Sequence, residues 1–241
     1  MPVSLREALE AGGPAIGLWA SIPSALTAEA AALAGADYVV ADQQHGALDP
    51  GTLMAILQAI AGGGSVGLVR VARNEPFPIG QALDLGAAGV IVPMVESAEE
   101  AARAVAACRY APDGVRSFGA LRAGAGDRPL CLVMIETRAG LEAAAEIAAT
   151  PGLDGIYAGP SDLALSLGLQ PTLRLEHPPV LEALETVRAA CAAAGIVAGV
   201  HCLAAEDVPE QARRFAMVTA GGDTLHLQGA LAAALRTARG T

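Results

Sequence analysis

The chain has 241 residues, 53% of them hydrophobic, and a formal net charge of −10. That length suits one large domain or two small ones, and the acidity, with no basic stretch among aromatic residues, argues against nucleic acid and anionic membranes as partners. Apolar runs are broken by charge, Gly or Pro well short of the ~18 to 20 residues that span a bilayer, so a soluble protein acting on small molecules is expected.

The start, Met1-Pro-Val-Ser-Leu-Arg-Glu7, lacks a basic segment followed by an apolar one, so no secretory signal is expected. Cys108, Cys131, Cys191 and Cys202 show no metal-finger spacing and sit in apolar surroundings, which predicts free thiols in a reducing cytoplasm.

Taken in order, a helix over residues 4–11 leads to a strand, Ala15-Ile-Gly-Leu-Trp-Ala20, and to a helical stretch over 24–34. Then the cadence repeats. Tyr38-Val-Val-Ala-Asp42, Val66-Gly-Leu-Val-Arg70-Val71, Gly89-Val-Ile-Val-Pro-Met-Val95, Leu130-Cys-Leu-Val-Met-Ile-Glu136, Gly155-Ile-Tyr-Ala-Gly-Pro-Ser-Asp162, Ile196-Val-Ala-Gly-Val-His-Cys202 and Met217-Val-Thr-Ala220 are short, β-branched and apolar, as strands buried on both faces are. Ala- and Leu-rich helical segments separate nearly all of them, over 50–61, 78–85, 98–108, 139–149, 179–194 and 205–215. Eight such units, with no linker, predict a single (β/α)8 barrel over residues 1–241. Gly62-Gly-Gly-Ser-Val-Gly67 matches the dinucleotide fingerprint in letters, but it follows a helix and precedes a strand, the reverse of the order a phosphate site needs.

In a barrel the chemistry gathers at the carboxyl ends of the strands. Strand five stops at Glu136 and strand six at Asp162, so two carboxylates end parallel neighbours, within reach of one hard divalent cation. Both could instead sit at the starts of the helices that follow. Arg70, ending an apolar strand, needs an anion: a substrate, or an ion pair with Glu136 or Glu96. Glu96 precedes Ser97-Ala-Glu-Glu100, a capping-box pattern that explains it without catalysis. His45, in Asp42-Gln-Gln-His45, is a candidate acid–base group or a loop histidine, and Asp84 could orient it or be solvated.

Laid out this way, the chain resembles the HpcH/HpaI family of class II, metal-dependent pyruvate aldolases. The carriers are Gly17-Leu-Trp19, Asp42-x-x-His45-Gly46, Val69-Arg70, Leu83-Asp84-Leu-Gly-Ala87, Val92-Pro-Met-Val95, Gly114-Val-Arg116, Ile135-Glu136-Thr137 and Gly159-Pro-Ser-Asp162-Leu163. The resemblance implies that Glu136 and Asp162 hold a divalent cation, Mg²⁺, Mn²⁺ or Co²⁺, and that Arg70 faces the oxo acid. It implies an acid–base dyad of His45 and Asp84, a pocket lined by Trp19, and a substrate carboxylate held around Gly159, Pro160, Ser161 and Asp162 by the amides of the last two. Gln43-Gln44 and Met134 depart from the family's usual Gly-Glu and Gln at those positions. The connection over 117–129 is shorter than the family's usual lid, which predicts tolerance toward the aldehyde.

The reaction implied is reversible cleavage of a 4-hydroxy-2-oxo acid to pyruvate, or a related 2-oxo acid, and an aldehyde. The chain has no lysine, which excludes an imine-forming aldolase. A malyl- or citramalyl-type lyase acting on a CoA thioester would share the carboxylates but want a basic patch, and a non-catalytic 2-oxo-acid-binding barrel would lack turnover. A homo-oligomer is expected from the apolar segment Leu227-Gln-Gly-Ala-Leu-Ala-Ala-Ala-Leu235, and a hexamer from the resemblance.

Overall fold

The computed structural model describes residues 5–10, 12–119, 121–122 and 128–240. Eight strands, β1 (Ala15–Ala20), β2 (Tyr38–Asp42), β3 (Val66–Arg70), β4 (Gly89–Val92), β5 (Leu130–Ile135), β6 (Gly155–Ala158), β7 (Val197–Cys202) and β8 (Met217–Gly222), pair with their chain neighbours. All the pairings are parallel, and β8 returns to β1, closing the barrel expected from the sequence.

Helices α1 (Leu5–Glu10), α2 (Ala25–Leu33), α3 (Pro50–Gly62), α4 (Pro76–Asp84), α5 (Ala98–Cys108), α6 (Arg138–Glu142), α7 (Ala144–Ala148), α8 (Pro160–Ser166), α9 (Pro178–Ala194), α10 (Val208–Gln211) and α11 (Asp223–Arg239) complete the described elements. No described helix is long and apolar enough to cross a membrane.

Each strand has two faces, and the barrel uses them differently. Outward side chains such as Val39, Ala41, Val69, Val90, Val92, Val133 and Ile156 join the layer against the helices. Inward ones, including Tyr38, Val40, Leu68, Ile91, Leu132, Met134, Tyr157 and Met217, fill the centre. With both faces apolar, the strands read as continuous hydrophobic runs rather than alternating ones. Fully burying one Leu, Ile or Val side chain contributes roughly 1.5–3 kcal/mol, so these two clusters carry the fold.

Helix starts are capped as the sequence patterns suggest. Asp49 accepts from the Gly51 and Thr52 amides at the head of α3, and Ser97 accepts from Glu100 N while the Glu100 carboxylate accepts from Glu96 N. Two expectations need correction. The helix expected over 139–149 breaks at Ala143, whose φ of −90° and ψ of 6° separate α6 from α7. The segment over 205–215 is a 3₁₀ turn, Ala205–Asp207, followed by the single turn of α10, because Pro209 limits helix growth there to its own first turn. The glycine-rich stretch over 62–67 runs from the end of α3 into β3, the helix-to-strand order read from the sequence, with Gly64 at φ +87°.

A candidate active site at the carboxyl ends of the strands

The inward rows explain how polar residues come together. Asp42, Arg70 and His201 continue the inward phase of β2, β3 and β7, and Glu136 continues that of β5 one residue beyond its end. They line one cavity of about 240 Å³ with Trp19, His45 and residues 159–162, small enough to enclose a short oxo acid.

Arg70 stands directly opposite Asp42 in the β2–β3 register. The pair is bidentate, with Nε donating to Oδ1 at 2.8 Å and Nη2 to Oδ2 at 2.6 Å. Burial alone would raise the Asp42 carboxyl; the guanidinium outweighs it and holds Asp42 below its ordinary value, helped by the Gln44 amide. The anion expected beside Arg70 is therefore Asp42, not Glu136 or Glu96. The guanidinium carbon also lies 5.0 Å from the centroid of the Trp19 ring, which fixes its plane against an aromatic face.

Glu136 is 1% exposed, and Met94 N donates to its Oε1 at 2.8 Å. Burial raises the Glu136 carboxyl above its ordinary range; the Met94 amide opposes that rise, and the nearby Asp162 carboxylate adds to it. Gly159 is required here, since a Cβ at that position would lie 2.7 Å from Glu136 Oε2. Strand six, expected to run to Asp162, ends at Ala158, and Asp162 lies in the first turn of α8, so the two carboxylates reach the cavity from just past the end of β5 and from the start of α8. The described residues contain no group of three or more His, Cys, Asp or Glu placed to hold a metal, so a cation on this pair would take its other ligands from water and substrate oxygens. Carboxylate oxygens with one uncommitted lone-pair face suit a hard cation and not a soft one.

His45 also lines the cavity, its backbone held by Asp42 Oδ1. Asp84 does not meet it. The helix after β3 runs back toward the amino ends of the strands, so the last residue of α4 lies at the opposite rim, where Arg116 Nη2 donates to Asp84 Oδ1 at 2.7 Å. The dyad expected of His45 and Asp84 is not formed within the described chain. Glu96 is exposed and absent from the cavity lining, as its role beside the α5 cap suggests. Of the short connection over 117–129, residues 120 and 123–127 lie outside the described residues, so the truncated-lid expectation is left with them.

Reading the strand ends missed part of the wall. Ser21, His201, Leu203, Thr224 and Leu225 line the cavity as well. The last two come from α11, whose Asp223 carboxylate accepts from Ser21 N at 3.1 Å and Ile22 N at 3.0 Å, tying the start of that helix to the loop after β1. His201 was legible in principle as the lone polar residue in Ala198-Gly-Val-His-Cys202.

With this geometry in place the relatives become informative. The family model described as HpcH/HpaI aldolase/citrate lyase matches residues 15–228. The chain belongs to that family. Among its HpcH/HpaI relatives, a hydroxypyruvate/pyruvate aldolase of Rhizorhabdus wittichii is 40% identical over 208 residues, covering 82% of this chain and 83% of that protein. A 4-hydroxy-2-oxo-heptane-1,7-dioate aldolase of Salmonella dublin is 38% identical over 221 residues, covering 85% and 83%. The crystal structure of an HpcH/HpaI aldolase/citrate lyase family protein from Burkholderia cenocepacia J2315 superposes with a TM-score of 0.91 at 32% identity, over 98% of this chain and 99% of that one. This HpcH/HpaI member is a carbon–carbon lyase of the aldolase kind.

Proposed function

We propose that the protein is a class II pyruvate aldolase that reversibly cleaves 4-hydroxy-2-oxo acids to pyruvate, or a related 2-oxo acid, and an aldehyde. The observation that carries this reading is the convergence of Glu136, Asp162 and Arg70 on one cavity in a chain without lysine. Cleavage of the C3–C4 bond leaves an enolate, whose charge must be met where it develops. A divalent cation, Mg²⁺, Mn²⁺ or Co²⁺, bound by Glu136 and Asp162 would supply Lewis acidity at the 2-oxo group. Arg70, already oriented by Asp42 and the Trp19 ring, adds a fixed positive charge beside the same oxygen. The free amides of Ser161 and Asp162, at a helix start with no side-chain cap, suit the substrate carboxylate. His45 is the group placed to take the proton of the C4 hydroxyl in cleavage and return it in synthesis. Asp84 is out of its reach within one chain, so the acid–base role rests on His45.

The names of the aldolase relatives support an oxo-acid donor of pyruvate or hydroxypyruvate type. Four buried, unpaired cysteines suit a reducing, cytoplasmic setting. The barrel and its helices over residues 1–241 form one unit, and α11, none of whose residues is buried, is read as packing on another copy. Proton exchange tests the central step: pyruvate should lose its methyl proton signal in D2O when the protein and Mn²⁺ or Mg²⁺ are both present. Loss of signal that ignores chelator, or no loss at all, would remove the enolate from the mechanism.

A further inference from the structure

The interior below the cavity holds a feature that the aldolase reading leaves unused. Tyr38 and Tyr157 are fully buried, and two glycines on the neighbouring strands make room for them: a Cβ at Gly17 would run into the Tyr38 ring, and one at Gly199 would come within 2.5 Å of Tyr157 Cδ2. Their hydroxyls meet at 3.0 Å, Tyr157 Oη lies 2.8 Å from Thr219 Oγ1, and Thr219 Oγ1 lies 2.8 Å from His201 Nδ1. Four side chains from four strands thus form one hydrogen-bonded line from the barrel centre to the cavity wall. The rest of this interior cluster is Trp19, Ala15 and Leu, Ile, Val and Met side chains, and Phe, Phe and Val would fill the space of the two tyrosines and Thr219 without three hydroxyls to satisfy.

The line has a direction. Thr219 has one proton to give and three acceptors beside it, Tyr157 Oη, His201 Nδ1 and, at 3.5 Å, the long limit for such a bond, the Val200 carbonyl. In the arrangement that uses every hydroxyl proton along the line, it goes to His201 Nδ1, Tyr157 donates to Thr219, and Tyr38 donates to Tyr157. Every hydroxyl then donates once, and the imidazole proton is left on Nε2. Burial, and then the positive charge of Arg70, push the imidazole down to about 4, so it is neutral near pH 7. The ring stands edge-on to Trp19 with centroids 4.7 Å apart, and with Nδ1 turned inward the Nε2 edge is the one left to the cavity that His201 lines.

We propose that His201 is a substrate-binding residue whose Nε2–H donates to a hydroxyl on the aldehyde portion, selecting hydroxylated over hydrocarbon aldehydes, with Thr219 as its positioning residue. The inference rests on the aldolase reading above. In that reading the oxo acid occupies Arg70, Glu136 and Asp162, His45 faces the C4 hydroxyl, and the wall left for the rest of the aldehyde includes Ser21, His201, Leu203, Thr224 and Leu225. In that wall the imidazole is the polar ring already committed to one tautomer.

The test compares glycolaldehyde with propanal, two acceptors of nearly equal size that differ in one hydroxyl, using pyruvate and Mn²⁺, with pyruvate proton exchange followed alongside. His201→Leu should lower the ratio of kcat/KM for glycolaldehyde over propanal about 10-fold or more, because a site built to bond a hydroxyl discriminates by that bond. Exchange, which needs no aldehyde, should fall by a smaller factor than that ratio. His201→Gln, which keeps an amide donor, should retain part of the ratio, and Thr219→Val should shift it in the same direction, by about 3-fold, as the imidazole loses its fixed tautomer. If His201→Leu does not melt cooperatively, the ratio in Thr219→Val decides. An unchanged ratio with exchange intact overturns the proposal alone, and so does an equal loss for both aldehydes. No exchange by the wild-type protein with either cation overturns it together with the aldolase reading.

Discussion

Met94 aims its backbone N–H at Glu136 Oε1 from 2.8 Å away, and it does so at φ +57°, the left-handed region that non-glycine residues seldom occupy. Such a conformation costs roughly 1 kcal/mol or more and persists where the surroundings enforce it. Here it presents a donor to a carboxylate that burial disfavours. Met94→Gly should relieve the strain while loosening the unfolded chain, two effects of about 0.4–1 kcal/mol each that nearly cancel. Met94→Val, β-branched at the same φ, should lose about 1–2 kcal/mol and also weaken turnover as Glu136 shifts. Denaturant unfolding of the two variants checks this, and a Val variant as stable and active as wild type would detach Glu136 from the Met94 backbone.

Glu136→Gln and Asp162→Asn should each abolish cation-dependent turnover and leave a cooperatively folded barrel, because a neutral amide is a poorer ligand for a hard ion. Glu136→Gln should not destabilise the apoprotein, since the carboxylate it replaces is held above its ordinary range mainly by burial. Pyruvate-release assays over a Mn²⁺ titration and a thermal melt read both halves. Near wild-type activity at low Mn²⁺ would refute the ligand assignment.

Arg70 carries two duties that a single substitution confuses. Arg70→Ala removes the charge beside the enolate, a loss on the order of 2–4 kcal/mol in barrier if it resembles that of an oxyanion donor. It also strands Asp42, 1% exposed, without its counter-ion, which costs about 3–5 kcal/mol of stability. The double variant Arg70→Leu with Asp42→Leu should recover much of that stability and none of the pyruvate exchange. If stability and exchange returned together, Arg70 would be structural and its catalytic role would fall.

The fold was legible because a closed parallel barrel leaves a strong trace: eight apolar runs at helical intervals, each buried on both faces. Helix α8 was legible only as one of two readings of Asp162, a strand end or a helix start, and the structure has the helix start, with Pro160 in its first turn. Within the site, Glu136, Asp162 and Arg70 were legible because each is a charge ending an apolar run. The Asp42 partnership of Arg70 was not, since register between strands 28 residues apart cannot be read from either strand alone. Asp84 shows the opposite limit, a motif residue that the chain places at the far rim from its own His45. His201 went unread because a lone histidine in a strand has many innocent explanations, and its meaning depends on two tyrosines and a threonine distant in sequence.

His201 also makes a prediction about pH. Its imidazole lies at about 4 when folded against an ordinary 6.5, so the unfolded chain binds the extra proton first. Stability from this residue is complete above pH 6.5 and is lost as pH falls from there toward 4. Carboxylates titrate nearby in the same window, so the difference between wild type and His201→Gln isolates the effect. Between pH 7 and pH 5 the melting temperature of wild type should drop further than that of His201→Gln. Parallel curves would mean that the imidazole is solvated and free to protonate in the folded state.

Helix α11 bears on assembly. Its 17 residues include none that is buried, and Leu227, Leu231 and Leu235, spaced four apart on one face, are 48%, 56% and 53% exposed. Its start is anchored, through Asp223 to the Ser21 and Ile22 amides, while the remainder carries an apolar stripe with no partner among the described residues. Covering those three leucines would gain up to roughly 1.5–3 kcal/mol each, enough to favour association through this helix. Light scattering at micromolar concentration should therefore give a multiple of 24.1 kDa. Replacing all three leucines by Glu should return the mass to a single chain without unfolding the barrel, because α11 contributes no buried side chain to it. It should also reduce activity, because Thr224 and Leu225 at the root of the helix line the cavity and lose the support of the assembled stripe. A wild-type mass near that of one chain would leave the apolar stripe without an occupant and refute the oligomer.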